Sequence, residues 1–183
     1  IPTHKMKTHL WCLWSGTKIN AKMQISVHNK TLDLSTPQVM GILNVTPDSV
    51  YAGSRKQTEQ EIAERTNQII LEGGKIIDVG AFSTGPGSAD VSEEEELLRM
   101  RNGLAIVRRE QPDALVSIDT FRPSVARMAV EEFGADIIND ISEGRGYYNN
   151  TSNENAKVDV DANENEPSDI LLEVARLQVP YIL

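Results

Sequence analysis

The sequence has one cysteine, three histidines and no long apolar run, and each scarcity removes a class of function. Cys12 has no partner for an internal disulfide, so the fold must rest on packing and the chain suits a reducing compartment, the cytoplasm being the expectation. His4, His9 and His28 lie upstream of every motif described below, which leaves no Ser-His-Asp or Cys-His set and no zinc cluster of His and Cys. No stretch reaches the roughly 18 apolar residues that span a bilayer. The start, IPTHKMKTHLWCLWSG, lacks a sustained apolar core with a cleavage site, so neither membrane insertion nor secretion is expected. Basic residues are outnumbered as well: 18 Lys and Arg against 27 Asp and Glu leave a net charge of −9, which removes the basic footprint of a nucleic-acid binder.

What remains is an ordinary composition for one globular domain with a core of its own. Residues 1–23 carry Lys5, Lys7, Lys18 and Lys22 around Trp11 and Trp14, with no acid before Asp33. They read as an N-terminal extension without chemistry, the alternative being a membrane-touching or partner-binding arm. From residue 24 the pattern changes. QISVH, a break at Asn29-Lys30 and TLDLS predict a hairpin, and QVMGIL predicts a strand ending near Leu43. TEQEIAERTNQIILEGG sets Ile62, Ala63, Thr66, Ile69 and Ile70 on one helical face, with Thr58 and Glu61 at capping-box spacing and Gly73-Gly74 as a stop.

The cycle repeats. KIIDV is an apolar strand, Ser92 and Glu95 open a helix through LLRMRNGLAIVRRE, ALVSID is a strand, a helix starts at Pro123, and ADIIND follows a C-cap at Gly134. Strict alternation of apolar strands and helices indicates an α/β fold with a parallel sheet. Residues 145–167 interrupt it with a run rich in Asn, Asp and Glu, expected to be a disordered insertion in a βα loop. Asp159, Asp161, Asn163 and Asn165 alternate as in a calcium loop, but the sixth and twelfth positions hold Glu164 and Ile170 where Gly and Glu are needed. SDILLEVARLQ then predicts a helix and VPYIL a strand.

Polar residues sit where the strands end: Asn44, Asp78, Asp119, and Asn139 with Asp140. In α/β barrels the C-terminal strand ends carry the active site. Asp and Asn also start loops in general, but several at equivalent places favour a site. A carboxylate such as Asp119 can accept two parallel hydrogen bonds from an amidine-like edge, and the Asn139 amide both donates and accepts, a set suited to a flat heterocycle. The acids of VSEEEELLR at 91–99 are read as a solvated helix start favoured by the helix dipole, and Arg122 as a surface residue with anion contact the alternative.

At these residues a family resemblance becomes specific. MGILNVTPDSVYAGS at 40–54, IIDVGAFSTGPG at 76–87, SIDTFRPSVA at 117–126 and GADIINDISEG at 134–144 resemble, in order and spacing, the first four motifs of dihydropteroate synthases. The resemblance implies a (β/α)8 TIM barrel, present here as a partial barrel of about the first five strands over residues 24–183, with the hairpin before it. It further implies a transferase of folate biosynthesis that joins 6-hydroxymethyl-7,8-dihydropterin diphosphate to 4-aminobenzoate by substitution at the pterin methylene, with no protein nucleophile.

Carried over residue by residue, the resemblance assigns Asp119 and Asn139 to the pterin, with Ile141 lining its slot. Asn44 falls beside the diphosphate and a Mg2+ ion, and Thr46, Pro47, Asp48 and Ser49 in the first loop. Ser83, Thr84 and Pro86 belong to the second loop, over aminobenzoate, and Asp78 is either support for the substrate or a buried structural group. A homodimer is the implied assembly. Later strands of the family, with further pterin and diphosphate ligands, lie beyond Leu183, so the chain alone is expected to be inactive.

Two departures fall in the loops around aminobenzoate: Val50 stands where the family usually has Phe, and Gly85 where it has Arg. They are the best support for a non-catalytic pterin-binding relative as the rival reading. A pterin-dependent methyltransferase is the rival enzyme, and the NVTPDS and STGPG loops favour the synthase over it.

Overall fold

A computed structural model describes residues 23–27, 30–45, 59–82, 91–144 and 168–183. All of the expected extension but Met23, the first loop, the second loop, Thr58 and the insertion at 145–167 lie outside them.

Strand β1 (Gln24–Val27) pairs antiparallel with β2 (Lys30–Asp33), so Lys30 begins the second strand instead of belonging to the turn. The rest of the described chain alternates without exception. It runs through β3 (Met40–Asn44), α1 (Glu59–Leu71), β4 (Ile76–Gly80), α2 (Glu93–Glu110), β5 (Leu115–Asp119), α3 (Pro123–Phe133), β6 (Ile137–Asn139), α4 (Asp169–Leu177) and β7 (Tyr181–Ile182). Strands β3 to β7 form one parallel sheet in chain order. Each strand therefore lies beside the next, with a helix between, as the opening portion of a β/α barrel requires.

Local chemistry explains the helix ends. The Ser92 hydroxyl accepts from the Glu95 amide at 3.2 Å and caps α2. Pro123 takes the first turn of α3, where its missing N–H costs no hydrogen bond. Gly134 ends that helix at φ 62°, and its amide and that of Ala135 return to Val130 and Ala129. Gly73 leaves α1 at φ 95°.

Because side chains alternate along a strand, the sheet has two faces with different work. Leu43, Val45, Ile77, Val79, Ala81, Val116, Ile118 and Ile138 face the helices and make the main core with Ile62 and Ile69 of α1, Met100, Leu104 and Val107 of α2, Val125 and Ala129 of α3, and Ile170 and Val174 of α4. Helix α2 comes especially close: a Cβ built on Gly103 would lie 2.7 Å from Val45 Cγ1, so only glycine fits there. The other face is layered by register. Met40, Ile76 and Leu115 form its lower row, and the hairpin closes over it with Ile25, Leu32 and Leu34. No helix among the described residues is long and apolar enough to cross a membrane.

Candidate functional site

Above that apolar floor the inner face turns polar. The middle row is Ile42, Asp78, Ser117 and Ile137, and the upper row is Asn44, Gly80, Asp119, Asn139 and Ile182. Asn44, Asp119 and Asn139 thus stand at one height on strands β3, β5 and β6, as the sequence predicts. Between them, on β4, is Gly80. A Cβ at that position would meet Asn44 Oδ1 at 3.2 Å and Asp119 Oδ2 at 3.5 Å, so the missing side chain leaves a shallow gap flanked by two polar groups.

Two expected members of the row are elsewhere. Strand β4 runs two residues past Asp78, which puts this carboxylate one row lower, 5% exposed. It reaches across β5 to accept from Asn139 Nδ2 at 3.1 Å. Asp140 follows Asn139 but faces away, fully buried. Its carboxylate accepts from the amides of Ser142 (2.7 Å) and Gly144 (3.1 Å) and from the Tyr181 hydroxyl, fastening the turn after β6 to strand β7. Tyr181 is held protonated by burial and by that carboxylate. Asp140 belongs to the fold, and the strand-end pattern alone could not separate it from Asn139.

Electrostatics set the upper row apart. Asp119 is pushed up to about 6 by burial, with the charges of Asp78, Asp140 and Glu96 adding to it. Burial also raises Asp78, against the opposing pull of Ser117 and Asn139. Asp78 Oδ1 and Ser117 Oγ, buried on neighbouring strands in the middle row, make no well-formed hydrogen bond among the described residues, so Ser117 offsets the burial of Asp78 only in part. A ligand that brings N–H groups of its own to Asp119 would offset the cost of burying that carboxylate.

Beside the row is a second, closed cluster. Glu96 is fully buried, not part of a solvated helix start. It accepts from Thr120 Oγ1 at 2.8 Å and pairs with Arg122, whose Nη2 donates to the Val91 carbonyl at 2.7 Å. The guanidinium lies 5.4 Å from the Phe82 ring centroid and 5.2 Å from that of Phe121. Arg122 is therefore a clamp inside the fold, neither a surface residue nor an anion contact.

Ile141, 72% exposed, lies two residues past Asn139 in the turn after β6. Ser83, Thr84 and Pro86, with Thr46, Pro47, Asp48 and Ser49, lie outside the described residues. Sequence reasoning missed Gly80, Ser117 and the burial of Glu96. Counting in twos from Asp78 and back from Asp119 would have found the first two; nothing local marks the third.

A family model described as pterin binding enzyme matches residues 40–168. The chain is 43% identical over 119 residues to the dihydropteroate synthase of Escherichia coli, covering 65% of this chain and 42% of that protein. It is 42% identical over 123 residues to the mitochondrial folate synthesis bifunctional protein of Arabidopsis thaliana, 66% of this chain and 22% of the relative. Among solved structures, the Yersinia pestis dihydropteroate synthase with a sulfonamide drug complex superposes with a TM-score of 0.66 at 32% identity, over 87% of this chain and 49% of that one. The Xanthomonas albilineans dihydropteroate synthase with 4-aminobenzoic acid gives 0.65 at 32%, over 86% and 50%. The chain thus spans about two fifths of its Escherichia coli relative and half of these structures.

Proposed function

Since the chain belongs to the pterin binding enzyme family, whose model covers residues 40–168, we propose that the protein is a dihydropteroate synthase that condenses 6-hydroxymethyl-7,8-dihydropterin diphosphate with 4-aminobenzoate. The observation that carries the reading is the upper row of the inner face: Asn44, Asp119 and Asn139 at one height, with the Gly80 gap among them and a buried carboxylate beneath. Three of the four relatives described above are named dihydropteroate synthases, which supports this reaction over methyl transfer.

In this reading Asp119 accepts the paired N–H donors of the pterin edge, and binding lowers its pKa by giving a desolvated carboxylate hydrogen-bond donors. Asn139 meets the same ring from the neighbouring strand, and Ile141 covers it. Fixed on rigid strand ends, the ring holds its methylene carbon in line with the incoming amine. Ser83, Thr84 and Pro86 serve the aminobenzoate. Exposed Asn44 stands at the lip, where the diphosphate departs.

A magnesium ion fits this arrangement, because Mg2+ is usually held by one or two protein oxygens with substrate phosphates and water, and Asn44 offers a hard oxygen at the open edge. Bound there, the ion supplies charge compensation for the leaving diphosphate. The pairing of two copies into a homodimer rests on the family resemblance, and a cytoplasmic setting on the single cysteine.

Calorimetry with dihydropterin diphosphate and magnesium, followed by 4-aminobenzoate with diphosphate release as readout, tests the proposal. Binding that Asp119→Ala weakens at least tenfold, followed by release when the arylamine is added, supports the synthase. Tight pterin binding without release transfers support to the non-catalytic reading, which Val50 and Gly85 favour. No pterin binding overturns both.

A further inference from the structure

The hydrogen bond from Asn139 to Asp78 has a consequence for recognition. An asparagine amide has two unlike ends, an oxygen that accepts and a nitrogen that donates, and in shape they are nearly interchangeable. Which end faces a ligand is decided by what holds the other. Here the holder is Asp78, 5% exposed in the middle row, whose Oδ2 lies 3.1 Å from Asn139 Nδ2. An ionised carboxylate can only accept, so the amide nitrogen must face it and the amide oxygen turns away.

We propose that Asp78 is a positioning residue: its carboxylate locks the Asn139 amide so that Oδ1 is presented to the ligand, making Asn139 an acceptor beside the acceptor Asp119. The proposal rests on the pterin reading above and deepens it. Two adjacent acceptors in register on β5 and β6 match a heterocycle edge that carries several N–H donors and mismatch one that carries acceptors. Burial serves the lock in two ways. It removes water that would otherwise compete for the Asn139 N–H, and it leaves the bond from Asn139 as the one well-formed side-chain hydrogen bond to Asp78 among the described residues, with Ser117 its neighbour in the row. Asp78 needs no contact with the ligand for this, which agrees with its place a row below Asp119 and Asn139.

A double-mutant cycle on the protein decides the matter, with 6-hydroxymethyl-7,8-dihydropterin diphosphate as the probe and calorimetric Kd as the readout. Asp78→Ala is expected to weaken binding about tenfold in the wild-type background and hardly at all in the Asn139→Ala background, because its effect passes through that amide. Equal loss in both backgrounds, or no loss in either, overturns the proposal. If Asp78→Ala does not fold, Asp78→Asn replaces it. That variant keeps the volume but can face the amide with either end, so the same dependence on Asn139 is expected.

The side-chain NH2 resonance of Asn139 in ligand-free protein gives a reading independent of the ligand. Protection from solvent exchange that disappears in Asp78→Asn supports the lock, and exchange as fast as that of an exposed amide refutes it. Wild-type protein that binds no pterin sinks the functional reading, and the resonance then decides the lock by itself.

Discussion

Glu96 and Arg122 form an ion pair whose carboxylate is wholly shielded from water, while the guanidinium is 16% exposed. The pair joins the start of α2 to the turn after β5, and Arg122 also holds the Val91 carbonyl and lies against Phe82, the residues on either side of the second loop. A clamp of this kind fixes where the loop leaves and re-enters the fold without using the loop's own residues.

Arg122→Ala should therefore be costly. It strands a buried carboxylate that retains only the Thr120 hydroxyl among these partners, a loss of about 3 kcal/mol or more in urea unfolding. Neutralising the stranded group should return much of that loss, so Arg122→Ala/Glu96→Gln is expected to be more stable than Arg122→Ala alone. A double variant as unstable as the single one would show that the cation's packing on Phe82 and Phe121, not its charge, carries the stabilisation.

Gly80→Ala probes the gap in the upper row. The new methyl meets Asn44 Oδ1 at 3.2 Å, and Asn44 is exposed enough to swing aside. The melting temperature should change little, while affinity for the pterin diphosphate falls more than affinity for the free pterin if Asn44 serves the diphosphate as proposed. Gly103→Ala is the contrast: its methyl would lie 2.7 Å from Val45 Cγ1 inside the core, so that variant should lose about 1–3 kcal/mol of stability.

The same comparison explains how much of the molecule was legible beforehand. Strand and helix order followed from hydrophobic period, caps and stops, because those are local signals: Ser92, Pro123 and Gly134 each act on residues within one turn. Asn44, Asp119 and Asn139 were legible since each ends an apolar run. Asp140 and Glu96 were not placed correctly, and the two readings of Asp78 stayed unresolved, for one shared reason. Their roles depend on which face a side chain takes and on what comes from distant elements to meet it, such as Tyr181 for Asp140 and Arg122 for Glu96. A carboxylate in the sequence looks the same whether it will bind a ligand or staple a turn.

Asp119 should make both stability and binding depend on pH, in opposite directions. Its folded pKa, about 6, lies above the 3.8 ordinary for an aspartate, so the folded state binds the proton more tightly than the unfolded one. The carboxylate therefore costs stability above about pH 6, and the cost fades as pH falls toward 4. Relative to Asp119→Asn, the wild type should gain melting temperature between about pH 7 and pH 5. If Asp119 is the ionised acceptor of the proposed pterin site, pterin binding should weaken over the same interval and release protons when measured near pH 6. A stability difference from Asp119→Asn that stays constant with pH would show that Asp119 titrates in its ordinary range.

Asp136 provides the control for a carboxylate that belongs to the fold. Fully buried at the start of β6, its Oδ2 accepts from the Val116 amide at 3.0 Å, from Lys30 at 3.2 Å and from Arg108 at 3.5 Å, so it ties the hairpin and the end of α2 to the base of the sheet. Asp136→Ala removes all three contacts and leaves a buried amide unsatisfied, a loss of about 2–4 kcal/mol. Lys30→Met keeps Arg108 on the carboxylate and gives up a partly exposed pair, so it should cost about 1 kcal/mol or less. What it should change is local: amide exchange in β1 and β2 is expected to accelerate as the hairpin loosens. Pterin affinity should stay the same, because the hairpin closes the lower row and the ligand groups stand two rows above it. Loss of affinity in Lys30→Met without matching loss of stability would mean that the base of the sheet controls the spacing of its upper edge.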